Sequence, residues 1–148
     1  MYSDSLDGLR ILLKNTFPQV ERIYVSSMPG EFARPSFFLD LVAASEEDLC
    51  RDYYLAAMTW QIVYFAPRSN AGYAETFNQV EVAGRLKKTL MDSMVILGPS
   101  GVMYHIENLE GGPRESEVYI TVRITAEVVR HSKQHEIAEE LHHEMRGV

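Results

Sequence analysis

The chain has 148 residues, 46% of them apolar and 24% charged, with a formal net charge of −7. That length and balance suit one continuous domain with its own hydrophobic core. They argue against a nucleic-acid binder, because phosphate backbones select clustered lysines and arginines. The densest basic cluster, Arg85, Lys87 and Lys88, falls on an expected helix and reads as a solvated face. A lone cysteine, Cys50, cannot form an intrachain disulfide, which points to a reducing compartment or indifference to redox. The opening MYSDSLDG lacks the basic and apolar regions of a signal peptide, and no apolar run approaches the roughly 20 residues of a membrane span. The expectation is a protein made and kept in the cytoplasm.

In chain order, Leu6, Leu9, Leu12 and Leu13 recur at helical spacing, with Ser5 and Asp7 placed to cap a first helix that stops before Pro18. A short strand follows at Ile23–Val25, and Met28-Pro29-Gly30 is a turn. The next strand is expected over 36–44, ending in a charged hairpin tip, Ser45-Glu46-Glu47-Asp48, with its partner over 49–65. On that partner Tyr54, Ala56, Met58, Trp60, Ile62 and Tyr64 share one face. Tyr53, Leu55, Ala57, Val63 and Phe65 share the other, interrupted by Thr59 and Gln61. Two largely apolar faces suggest a strand covered on both sides. Its length exceeds the usual 3–10 residues, so the ribbon is expected to overhang the body as an arm.

Beyond Pro67 and a loop over 68–72, an amphipathic helix is expected over 73–94, with Tyr73, Phe77, Val80, Ala83, Leu86, Leu90 and Met94 as its apolar stripe. A short strand, Val95–Leu97, leads to the turn Gly98-Pro99-Ser100-Gly101. Two more strands form a hairpin across Gly111-Gly112-Pro113, the second turning Val118, Ile120, Val122, Ile124, Ala126 and Val128 inward. A last helix, 134–146, carries Ile137, Leu141 and Met145 within a C-terminal helical extension over 129–148. The implied fold is α+β: a mainly antiparallel sheet of four to six strands with helices packed on it and a long protruding β-hairpin.

Signs of chemistry are sparse. His135-Glu136 begins like H-E-x-x-H, but Glu139 stands where the second histidine belongs, so His135, Glu139, His142 and His143 read as a polar helix face. Gly98, Gly101, Gly111 and Gly112 open no helix and precede no Lys-Ser/Thr, so they read as turns. Cys50 has no histidine nearby, no G-x-S-x-G elbow occurs, and the acids gather at expected hairpin ends. No catalytic residue, metal or cofactor is expected.

Arg34-Pro35-Ser36-Phe37-Phe38 and, after a long strand, Tyr64-Phe65-Ala66-Pro67-Arg68-Ser69-Asn70 resemble the corresponding motifs of small tail-terminator proteins from phages and prophages of Gram-positive bacteria. The resemblance spans roughly residues 5 to 128. Ala66 is inserted into the family's "YFP" element, and the last helix has no counterpart in the pattern.

The resemblance implies a structural virion or tailocin component. Such a protein is a homo-oligomeric ring, usually a hexamer, that caps the tail tube, ends its polymerisation and contacts a neck or head-completion protein or the sheath. It would assemble in the bacterial host cytoplasm and end in the virion or tail particle, with no sequence-specific nucleic acid and no membrane as partner. A ring needs two different complementary patches per subunit. The hairpin carrying Glu46, Glu47, Asp48, Arg51 and Tyr53 is expected to supply one, by adding to a neighbour's sheet or lying across it. Arg34 with Pro35, and Gly112 with Pro113, are candidates for contacts along the tail axis. Arg34 is a carboxylate anchor in this reading, with an intrachain cap or ion pair left open. Trp60, Phe37 and Phe38 read first as core. The alternatives are another neck or head-completion connector, and a small-ligand-binding or enzymatic α+β domain marked by an enclosed pocket.

Overall fold

The structure is a computed structural model that describes residues 1–130. Two helices and six strands follow in the order α1 (Tyr2–Thr16), β1 (Arg22–Val25), β2 (Ser36–Asp48), β3 (Tyr53–Phe65), α2 (Thr76–Ser93), β4 (Val95–Leu97), β5 (Met103–Arg114) and β6 (Glu117–Val129). One sheet holds all six strands in the order β1-β2-β3-β6-β5-β4. Its pairs are antiparallel except β1–β2, which is parallel.

Both helices pack on one face of this curled sheet. Alternate strand residues supply the core there: Phe37 and Leu39 from β2; Met58, Trp60, Ile62 and Tyr64 from β3; Val118, Ile120, Val122, Ile124 and Ala126 from β6. Leu9 and Leu13 of α1, and Val82, Ala83, Leu86 and Leu90 of α2, complete it. Burying each such side chain contributes about 1.5–3 kcal/mol.

Helix α1 also covers the β4 edge. Gly8 allows this, because a Cβ there would stand 2.6 Å from the Leu97 carbonyl oxygen. Asp4 fixes the approach. Its carboxylate accepts from the Ser100 N–H at 3.0 Å, the Ser100 hydroxyl at 2.7 Å and the Tyr104 hydroxyl at 2.7 Å. The Tyr104 and Ser100 bonds hold its pKa below the usual carboxylate value.

Several sequence expectations are corrected. Met1 is the N-cap of α1 and no side chain caps it, so Ser5 and Asp7 do not serve that role. Ser5 is instead fully buried. Its hydroxyl accepts from Trp60 Nε1 at 3.2 Å and lies 2.9 Å from the Tyr2 carbonyl oxygen, its acceptor.

Glu46, Glu47 and Asp48 belong to β2, in register with Ala56, Leu55 and Tyr54, and the turn consists of residues 49–52. Charged side chains facing solvent do not interrupt a backbone ladder, so the acidic run stays in the strand.

Gly112 and Pro113 likewise lie inside β5, opposite Tyr119 and Val118, and the turn falls at Glu115 and Ser116. Proline is tolerated there because the outer side of β5 is unpaired at that end. Gly111 takes a φ of +115°, and a Cβ on it would stand 2.0 Å from the Tyr119 carbonyl oxygen. Val129 is the last residue of β6, so the expected C-terminal extension does not begin there, and the helix expected over 134–146 lies outside the described residues.

Helix α2 begins at Thr76, and its buried face is Gln79, Val82, Ala83, Leu86 and Leu90. Of the expected stripe only Ala83, Leu86 and Leu90 face the core. Tyr73, in the loop before the helix, is 76% exposed; Phe77 is 82% and Val80 55% exposed, and Met94 is exposed as well.

Candidate assembly surfaces

β3 is paired along its whole length by β2 on one side and β6 on the other. Its backbone is therefore completed by its own chain, and a neighbour is not needed for that. The expectation of a strand covered on both faces fails in another way. The two described helices cover only one face, and among the described residues nothing lies over the opposite face.

On that open face stand Phe38, Asp40, Ala43, Ser45 and Glu47 of β2; Leu55, Ala57, Thr59, Gln61, Val63 and Phe65 of β3; and Tyr119, Thr121, Arg123, Thr125 and Glu127 of β6. The curl partly shelters it, so Ala57, Val63 and Thr125 are buried although no helix lies over them. A hollow of about 730 Å3 is lined by Gln61, Thr121, Tyr119, Glu110, Glu117 and Arg114. Glu107 pairs with Arg123 at 2.8 Å. Asp40, Glu47, Glu110 and Glu127 leave the face predominantly acidic, while Arg114 lies over the Tyr119 ring.

The arm is the far end of β2, β3 and β6. β1 covers β2 only over Ser36–Leu39, so among the described residues the outer edge of β2 from Asp40 to Asp48 is unpaired. Val42 to Tyr53 are all exposed. Asp40, Glu46, Glu47, Asp48 and Asp52 face Arg51 as the sole cation between positions 40 and 53, so this segment carries more than half of the formal −7. Tyr2 holds it from the body, its hydroxyl donating to Glu46 Oε1 at 3.1 Å, and Arg130 holds its tip, where it pairs with Asp48, donates its N–H to the Asp52 carbonyl and stacks on Tyr54. Arg51 and Tyr53 sit at and just beyond the turn, exposed.

Arg34 lies at the opposite end, joined to Pro35 by a cis bond. Its guanidinium covers a pair of aromatic rings, 5.1 Å from the Phe32 centroid and 5.4 Å from that of Phe65, and donates to the Ala66 carbonyl at 3.2 Å. Ala66, the residue inserted into the motif, is fully buried and presents that carbonyl. Arg34 is thus an intrachain cap. It also borders a hollow of about 450 Å3 with Arg68, Phe32, Gly30 and Glu31. Burial, and then the neighbouring Arg68 charge, lower its pKa.

Nothing here converges as catalytic groups do. Among the described residues no set of three His, Cys, Asp or Glu side chains could hold a metal; the histidine-rich segment at 135–143 lies outside them. Among the described residues the buried polar atoms without a partner are Ser36 Oγ, on the Phe38 side of β2, and Gln79 Nε2, on the buried face of α2, so they lie on separate elements. Cys50 is exposed at the arm turn. No described helix is long and apolar enough to cross a membrane.

A sheet clothed on one side, with an acidic arm at one end and paired arginines at the other, is the build of a subunit whose chemistry is contact. The family comparison agrees. The family described as phage tail terminator protein matches residues 6–136, and the chain belongs to it, as a structural component of phage tails. No curated protein matches the chain. Arg68, Tyr73, Phe77 and Val80 are exposed, although the sequence pattern placed the last three in the core stripe of α2.

Proposed function

We propose that the chain closes into a ring on the last ring of the tail tube, ends tube polymerisation and presents its other side to a neck, head-completion or sheath protein. The observation that carries this reading is the one-sided sheet. An open, curled face whose hollow is lined by polar and charged side chains suits the wall of a passage, and the exposed arm suits a subunit contact. In a ring, each subunit offers two different patches and the rotation between copies closes. With the open face turned inward, Asp40, Glu110 and Glu127 would line the passage, and their charge would keep DNA phosphates from adhering.

The test is tube growth from purified tube protein with and without this chain, followed by electron microscopy. Capping gives short tubes with extra density at one end, and averaged end views give the copy number. Tubes of unchanged length with bare ends would refute it. Density found only on isolated neck or head-completion protein would favour the connector alternative.

A further inference from the structure

The arm and the Arg34–Arg68 hollow lie at opposite ends of β3, whose 13 residues span about 40 Å. One subunit cannot bring them together. They nevertheless match. The arm is acidic and carries exposed Val42, Leu49 and Tyr53. The other end has two neighbouring arginines, and the ion pairs of the described residues involve Arg10, Lys88, Arg123 and Arg130 but neither Arg34 nor Arg68.

Beside the hollow, the loop after β3 doubles back, with the Ser69 N–H donating to the Tyr73 carbonyl at 2.6 Å and a bridge between Arg68 and Ala74. This places exposed Tyr73 beside Arg68, and exposed Phe77 and Val80 follow in the first turns of α2. Exposed aromatic surface flanked by arginine is the composition of a contact core. Glu31 and Glu75 belong to the same corner and temper its charge, so the apolar surface and the arginines act together.

A competing pairing joins the free β2 edge of one copy to the free β5 edge of the next. It sets Asp40, Glu46, Glu47 and Asp48 against Glu107 and Glu110, and like charges placed opposite one another are destabilising. The bulges at Leu41/Ala43 and Ile106/Asn108, with Pro113, also blunt those edges against pairing.

We propose that the acidic arm of one copy docks at the Arg34–Arg68 hollow of a second copy, with Leu49 and Tyr53 covering Tyr73, Phe77 and Val80. The contact is heterologous, so it repeats from copy to copy. It deepens the ring reading and rests on it for closure. Glu47 is the arm acid best placed to meet Arg68, since Asp48 already pairs with Arg130 and Glu46 accepts from Tyr2.

The native cysteine gives the test. Cys50 is exposed in the arm turn, so in full-length Tyr73→Cys protein a short bismaleimide links Cys50 to position 73 only between copies. The expected product is a ladder at multiples of 16.9 kDa, abolished by Cys50→Ser. Arg68→Glu, an exposed change that leaves the melting temperature unaltered, cuts the multimer fraction about tenfold, and adding Glu47→Arg restores it.

A ring seen by light scattering, with no ladder and no effect of Arg68→Glu, overturns the docking and leaves the ring reading intact. A ladder that grows without ever closing supports the docking and overturns the ring. A chain that stays monomeric with and without tube protein, giving no ladder, overturns both.

Discussion

Ser5→Ala is the substitution on which the packing argument is most exposed. The Ser5 hydroxyl is the acceptor for Trp60 Nε1 at 3.2 Å, and both residues are buried. Alanine leaves the indole N–H inside the core without a partner, which costs about 1–3 kcal/mol. Alanine's better helix propensity returns at most about 0.5 kcal/mol. The expected net loss is about 1–2 kcal/mol, and in a chain of this size that lowers Tm by roughly 3–6 °C.

Trp60 is the chain's one tryptophan, so its fluorescence reports the site directly while circular dichroism follows global unfolding. Met58 lies 3.5 Å from the same hydroxyl, and Met58 pairs with Ala44 where the arm leaves the body. The variant therefore also raises hydrogen exchange in the arm ladder more than in the β5–β6 hairpin. A melt within 1 °C of the parent protein, with an unchanged emission maximum, would show that the indole N–H has another partner and that α1 is held by apolar contact alone.

Other consequences concern charge. Asp4 has a lowered pKa through its bonds to Tyr104 and Ser100. Its contribution is therefore complete above the unfolded value of 3.8 and is lost as pH falls through the lower folded value. The Tm gap between the parent protein and Asp4→Asn should be widest at neutral pH and shrink below about pH 4; a gap independent of pH refutes this.

Tyr64 is pushed up to about 12, chiefly by burial and then by Glu75, with the Asn78 hydrogen bond opposing. The protonated form is favoured in the fold, so stability is intact below pH 10 and falls as pH rises toward 12. Ultraviolet titration should show Tyr64→Phe removing a late-ionising tyrosine; loss of an early one would contradict the burial. If the open face lines a passage, Asp40→Lys with Glu110→Lys should make assembled rings retain duplex DNA at low salt, and unchanged retention counts against it.

The alternation of β6 and the turn punctuation around 98–101 were legible because period-two patterning and glycine depend on local geometry. The family motifs were legible too, and the match over residues 6–136 bears them out. The arm was read in outline, but Ser45 to Asp48 were taken for its tip; the β3 ladder carried the pairing four residues further.

Helix α2 shows the limit most clearly. Phe77 and Val80 obey the same three- and four-residue spacing as Ala83, Leu86 and Leu90, so periodicity alone reads one stripe and cannot tell which part of it the core will claim. Arg34 was ambiguous for a similar reason, since cap and anchor require the same side chain.

Composition and patterning by themselves determined an α+β fold with a long ribbon. Only tertiary packing decided which part of the α2 stripe the core claimed, which face of the sheet stayed open, and that the arm and the two arginines stand at opposite ends. The physical reason is that burial is a property of surfaces brought together from distant positions, and a linear repeat records the stripe without recording what will cover it.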